Sequence, residues 1–252
     1  MTAQSTGRLV LGIVPILLLV GLWQGLVSFG YAPPSLLPPP GLVLARFAEQ
    51  VTKGDFLTQA SATLFRLFAG FSIAVVLGVG IGLAAAASPA VSAVVRPLVR
   101  VLAPIPKVAL YPAFMLILGF DHASKITLVV VDALFPILLA TYQGATNVER
   151  KLIWSARAAG TPPWQVLFKV VLPAALPSIL TGCRIGLLIS CIVVFLAEMI
   201  SSTEGLGYLL VRAARSFQTA DMFVPLIAIS ALGLNGVLHG ARRYLLRGFP
   251  EA

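Results

Sequence analysis

Apolar residues in this chain come in long blocks. Leu9–Phe29, Phe65–Ala87, Ile126–Tyr142 and Ile179–Ile200 are nearly continuous apolar runs. Each approaches the roughly 20 residues a helix needs to cross a bilayer. Val101–Phe120 and Phe223–Leu238 bring the expected spans to six. The first block follows Arg8, as a secretory signal would, but it is long, and the YAPPS after it offers no small-residue cleavage site. It is read as a retained span. The third block is interrupted by Pro104, Pro106, Lys107 and Pro112. Two readings stand: a broken helix covered by protein or a water-filled cavity, or a span that starts near Val108 with its prolines at the cytoplasmic end.

The polar intervals carry their own patterns. Tyr31–Pro40 holds five prolines and is expected to be extended. In Gly41–Lys53, Leu42, Leu44, Ala45, Phe47 and Ala48 alternate with Arg46, Glu49, Gln50 and Lys53, which predicts an interfacial amphipathic helix. Ser88–Arg100 reads as a loop or surface helix, and Gly119–Lys125 as a short polar turn. In Ser201–Asp221, the spacing of Leu209, Leu210, Ala213 and Ala214 predicts a short re-entrant or surface helix. Gly78 and Gly82 form a G-x-x-x-G pair, read as close packing within the chain rather than as a dimer seam.

The longest polar interval after the first seventy residues is Asn147–Pro173, NVERKLIWSARAAGTPPWQVLFKVVLP. Asn147 is expected to cap a helix, with Glu149 in its first turn. Val148, Leu152, Ser155, Ala156 and Ala159 recur at helical spacing, and Gly160 ends the helix. Thr161 then caps a second short helix with Pro162 at its first position. Trp164, Leu167, Phe168 and Val171 share one face of it, and Pro173 and Pro177 mark the next apolar block. A structured loop bearing Arg150, Lys151, Arg157 and Lys169 is a docking surface for a soluble partner or a solvated connection.

Composition narrows the class. The chain has 252 residues, 58% hydrophobic and 11% charged, against about a quarter charged in soluble domains. It is therefore a polytopic helical membrane protein. The net charge of +9 fits cytoplasmic loops and anionic headgroups. Basic residues are not interleaved with aromatics on a solvated surface, so no nucleic-acid partner is expected. With both termini cytoplasmic, eleven basic residues fall inside and six outside, the favoured sense. That orientation puts Asn147–Pro173 in the cytoplasm.

Catalytic chemistry is sparse. No phosphate-binding loop motif occurs, so ATP hydrolysis is not expected on this chain. Cys183 and Cys191 lie too far apart along one helix for a disulfide, and without clustered His or Asp they make no metal site. His122 and His239 are isolated, which suits loop or helix-end roles. Asp132, Arg184 and Glu198 are the ionisable residues in or near spans, so they are candidates for a substrate path. The alternative is structural: an Asp132–Arg184 pair between helices, and a solvated Glu198.

The loop also resembles a family signature. ABC importer permeases carry Glu-Ala-Ala, three residues, Gly, nine residues, Ile, one residue, Leu-Pro. Here Ala156, Gly160, Val170, Leu172 and Pro173 keep that spacing. Trp154 stands at the Glu, Ser155 at the first Ala and Val170 at the Ile. The PPPGLVLARF segment, Pro106–Tyr142, Ala156-Arg157, and Ala197-Glu198 followed by Gly205-Leu206-Gly207 resemble the sulfonate/nitrate/taurine branch, across residues 34–247. The resemblance implies an all-α type I importer permease of the bacterial inner membrane. It would have six transmembrane helices, both termini cytoplasmic, and one domain made of an N-terminal segment (1–53) and a permease core (54–247).

It further implies two copies of a cytoplasmic ATPase that bind ATP and Mg, a second permease copy in a homodimer, and an extracytoplasmic substrate-binding protein. No cofactor is implied on this chain. Ser155, Ala156, Arg157, Ala159, Gly160, Trp164, Leu172 and Pro173 would form the ATPase-coupling loop. The branch implies small, often anionic solutes such as sulfonates, taurine, nitrate or bicarbonate, and some heterocyclic precursors. Two other classes fit the composition, an ion-coupled secondary transporter and a membrane scaffold that recruits a soluble protein. The few intramembrane charges and the lack of a clear inverted repeat weigh against the transporter.

Overall fold

A computed structural model describes residues 3–234, with side chains from Val14 to Ala231 except Lys53. The helices are α1 (Ala3–Ser28), α2 (Pro40–Lys53), α3 (Phe56–Ala87), α4 (Pro89–Leu102), α5 (Tyr111–Leu118), α6 (His122–Thr146), α7 (Arg150–Ala158), α8 (Pro163–Val166), α9 (Leu172–Ile200), α10 (Leu206–Arg215) and α11 (Thr219–Leu234). The end of the last apolar block, His239, Arg242, Arg243 and Arg247 lie outside the described residues.

Three helices are long and apolar enough to cross a membrane: α3, α6 and the continuous Pro163–Ile200 rod. A fourth crossing is possible only as a bent pair, α4 with Lys107–Leu118, which turns by 87°. Thus the interrupted block is a broken helix. A span beginning near Val108 would end at Leu118, far short of a bilayer. Val14–Ser28 and Thr219–Ala231 are shorter apolar helices. The described residues therefore contain three or four clear spans, not six.

The bundle centres on α6, which packs between α3 and α9. Small residues bring the three axes close. A methyl group at Gly78 would lie 2.9 Å from Ile137, and one at Gly82 would lie 2.7 Å from Thr141. The glycine pair is thus an intrachain contact, as its spacing predicts. Two apolar cores follow along the bundle. One, with Leu83, Ile137, Ala175 and Ile179, extends to Val148 and Val166. The other, with Leu67, Leu128, Val194 and Leu206, lies toward the opposite end.

Several element edges differ from the expected ones. Helix α3 starts nine residues before Phe65, because the polar Gln59 and Thr63 face inward and bond to backbone. Helix α6 starts at His122, so Lys125 lies inside a helix rather than in a turn. Its buried ammonium donates to the carbonyls of Phe120 (2.5 Å) and Asp121 (3.1 Å). The amphipathic segment forms α2, with Val43 buried and Leu42, Leu44 and Phe47 exposed. Gln50 Nε2 donates to Asp221 Oδ1 (3.0 Å) and Thr219 Oγ1 to the Ser35 carbonyl (2.6 Å), which ties the N-terminal segment to α11.

Candidate functional site

Two constructions stand out, one at each end of the long α8–α9 rod. The rod has 38 residues, or about 57 Å at 1.5 Å per residue.

At its N-terminal end lies the Asn147–Pro173 loop. Asn147 closes α6, and Glu149, not Asn147, occupies the cap of α7, without a side-chain capping bond. Gly160, at φ 78°, turns the chain, and Thr161 N–H donates back to the Ala156 carbonyl (3.1 Å). Left-handed backbone of this kind favours glycine. The next helix begins at Pro163, with Pro162 as its cap, and it does not stop at Pro173. Leu167–Val171 widens into a π-turn in which Leu172 N–H bonds to the Leu167 carbonyl. Such a turn absorbs the clash a proline ring makes with the carbonyl four residues earlier. The loop is thus one short helix set against the end of a long rod, rather than two short helices.

Val148 and Val166 are buried in the near core, with Ile153, Ala156, Leu167 and Leu172 packed against it. The other face is open. Ser155, Arg157, Ala159, Gly160 and Pro173 are exposed. Trp154 is 61% and Trp164 64% exposed, and Leu152 and Phe168 are similarly uncovered. So Leu152, Ser155 and Ala159 do not share a buried face with Val148, and Trp164 and Phe168 point away from Val171. The surface combines apolar side chains with Arg150, Lys151, Arg157 and Lys169, the composition of an interface core with a basic rim.

At the other end lies a buried ion cluster that sequence reasoning missed. Glu198 is not solvated. Its carboxylate accepts from Arg66 Nη1 (2.7 Å), Thr63 Oγ1 (2.8 Å) and Gly207 N–H (3.1 Å). Arg66, 1% exposed, also donates to His122 Nδ1 (3.0 Å), to the Glu204 carbonyl (3.0 Å) and to the Glu204 carboxylate. Gly205 and Leu206 donate their N–H groups to Gln59 Oε1 (2.6 Å) and Thr63 Oγ1 (2.8 Å). The polar side of α3 thereby caps the start of α10, where a carboxylate also suits the helix dipole. A side chain at Gly205, φ 110°, would run into the Glu198 carboxylate. The Glu198…Gly-Leu-Gly spacing was the visible half of this cluster; Arg66 and His122 carried no signal of their own.

The remaining candidates separate. Asp132 does not meet Arg184. It lies 3.6 Å from Lys107, whose ammonium also donates to the carbonyls of Ala103 (3.0 Å) and Ile105 (3.1 Å) and sits over the Phe135 ring. The pair closes the break between α4 and α5, where prolines leave carbonyls without partners. Arg184 is exposed on α9 and forms no ion pair among the described residues. Cys183 and Cys191 are free thiols.

Comparison with known proteins agrees with this architecture. A family described as "Binding-protein-dependent transport system inner membrane component" matches residues 74–248. The putative aliphatic sulfonates transport permease protein SsuC of Bacillus subtilis is 32% identical over 215 residues, 85% of this chain and 78% of that protein. The taurine transport system permease protein TauC of Escherichia coli is 30% identical over 230 residues, 89% of this chain and 83% of that protein. Among solved structures, the MetNI methionine ABC transporter in inward-facing conformations matches with a TM-score of 0.66 at 20% identity, over 77% of this chain and 96% of that one; at that identity it speaks for the fold. The chain belongs to the binding-protein-dependent transport system inner membrane components and is a multi-pass permease subunit of the bacterial inner membrane, a transport component rather than an enzyme.

Proposed function

We propose that this chain, paired with a second copy of itself, forms the path of an ATP-driven importer for a small anionic solute. Residues 1–53 and 54–247 act as one transmembrane unit with both termini in the cytoplasm, in which α1, the bent α4–α5 pair and α11 would add to the three clear spans. The Asn147–Pro173 surface seats in a cleft of a cytoplasmic ATPase, one copy per permease, which binds ATP and Mg. Closure of the ATPase pair moves the loop, and the α8–α9 rod carries that movement into the bundle as a rigid-body change. An extracytoplasmic binding protein delivers the solute.

The observation that carries this reading is the uncovered face of the loop. Leu152, Trp154, Trp164 and Phe168 are open to solvent while the backbone beneath them is fixed by Val148 and Val166 in the core. A merely solvated connection has no reason to hold two tryptophans outward on a rigid base. The orientation has support from charge. Lys107, Arg66 and Lys125 are buried, so they drop out of the loop count, and the remaining cations still favour a cytoplasmic loop.

The substrate class rests on two supports. The relatives are named for sulfonates and taurine. Arg184 is an uncovered cation on a spanning helix, and such a group faces a water-filled path or a partner rather than lipid. Arg184 is therefore the residue proposed to meet the anion. Asp132 and Glu198, both engaged by cations of their own bundle, would shape the path without touching the solute.

The test is purification of the tagged chain from its host in mild detergent, with mass spectrometry and an ATPase assay. A stoichiometric ATPase, lost from the Gly160→Arg variant, is the expected result. Isolation of the chain alone, with uptake in vesicles that is indifferent to ATP, would refute the reading and favour an ion-coupled transporter.

A further inference from the structure

Among the described non-glycine residues, Phe217 alone has a positive φ, 56°. It follows the last turn of α10. Phe217 N–H bonds to the Ala214 carbonyl (3.1 Å) and Gln218 N–H to the Ala213 carbonyl (3.0 Å), the hydrogen-bond pattern with which helices end on a left-handed residue. That residue is usually glycine, because a side chain there meets its own backbone. Here it is a phenylalanine, and its ring is 92% exposed. The ring is therefore neither a core residue nor the easiest cap.

Its surroundings are basic and of mixed polarity. Beside it opens a cavity of about 570 Å³ with a mixed lining, in which Ser202, Arg212 and Arg215 stand with Phe120, Ile200 and Tyr208. Arg212 is shared with Asp55 (3.4 Å). Arg215 is exposed and meets no carboxylate among the described residues. The patch sits at the far end of the α8–α9 rod from the Asn147–Pro173 loop, on the element that Arg66 and Glu198 pin in place. An aromatic presented on a strained cap, flanked by arginines and rigidly supported, has the makeup of an interface anchor.

We propose that Phe217 and Arg215, with the cavity beside them, are an anchor for the soluble extracytoplasmic binding protein, which presents an apolar recess ringed by carboxylates. This rests on the orientation under Proposed function, which places α10 outside. The family is by description dependent on such a protein, but nothing in that description locates the contact. Lipid headgroups are the competing occupant. An interfacial ring in lipid needs no strained backbone, and a cavity that sets serines and arginines beside apolar walls suits a protein surface of mixed polarity.

The test is photo-cross-linking in the host, with p-benzoylphenylalanine placed at position 217, at position 29 as an outer-end control, and at position 154 of the loop. Mass spectrometry identifies what is captured. The expected result is a solute-binding protein at 217 and not at 29, an ATPase at 154, and loss of at least about tenfold in the yield at 217 when Arg215→Glu reverses the charge. An ATPase at 154 with only lipid, or a second copy of this chain, at 217 overturns the anchor and leaves the importer standing. No ATPase at 154 and no binding protein at 217 overturns both.

Discussion

Arg66 and Glu198 lie 132 residues apart in sequence and 2.7 Å apart in space, with side-chain exposures of 1% and 0%. Between them they join α3, α9 and the start of α10. Two buried charges cost much to desolvate, and removing one partner strands the other. Arg66→Ala is therefore expected to lose about 3–5 kcal/mol. The double variant Arg66→Met with Glu198→Leu should lose less than the arginine change alone. Reversible unfolding in detergent micelles measures both, and equal or additive losses would remove the pair from its structural role.

This pair also shows where the sequence stops being legible. The α3, α6 and α9 spans follow from the length of their apolar runs, and α2 and α10 from periodicity, all of them local properties. Arg66 is set in FLTQASATLFRLF, at the very start of the expected Phe65–Ala87 span, so it passes for a solvated cation at a helix end. Its polar residues are there because Gln59 and Thr63 cap a helix over 140 residues away in sequence. Asp132 presents the same difficulty: its partner could be named only once the 87° bend between α4 and α5 set Lys107 against α6. Conversely, Pro173 looks like a break because a π-turn leaves no mark in hydropathy.

The helix break makes its own prediction. Lys107 holds two free carbonyls as well as facing Asp132. Lys107→Met removes all three contacts and leaves a carboxylate unpaired, at a cost of about 3–5 kcal/mol. Asp132→Asn leaves the ammonium its carbonyls and the Phe135 ring, so it should cost less, about 1–3 kcal/mol. Thermal unfolding of both variants gives the order. A reversed order would mean that the carboxylate, not the carbonyls, sets the position of the lysine.

Asp55 supplies a pH dependence outside the spans. Burial raises its carboxyl, but hydrogen bonds from Gln59 and Arg212 and the charge of Arg212 outweigh that, and the net shift is downward from 3.8. A depressed folded value means the group contributes stability above the ordinary aspartate range and loses it as pH falls through the lowered value. Wild type should therefore exceed Asp55→Asn in unfolding temperature at neutral pH, and the gap should close below about pH 3.8. High salt should narrow it as well, because both side chains are half exposed. A gap that persists in acid would assign the effect to the neutral contact with Gln59.

Gly160 and Phe217 occupy the same backbone region and predict opposite responses. At Gly160, φ 78° with open space around it, an alanine meets no neighbour and pays only for the backbone, about 1–2 kcal/mol. At Phe217, φ 56°, glycine relieves a similar strain, partly offset by the greater freedom glycine has when unfolded. Phe217→Gly should thus raise the unfolding free energy by up to about 1 kcal/mol, and Gly160→Ala should lower it. Were Phe217→Gly destabilising, the ring would be packing against something in the folded protein. Were it stabilising yet harmful to uptake by cells, the strain would be retained for a contact made outside this chain, and the exposed ring would be the place to look for it.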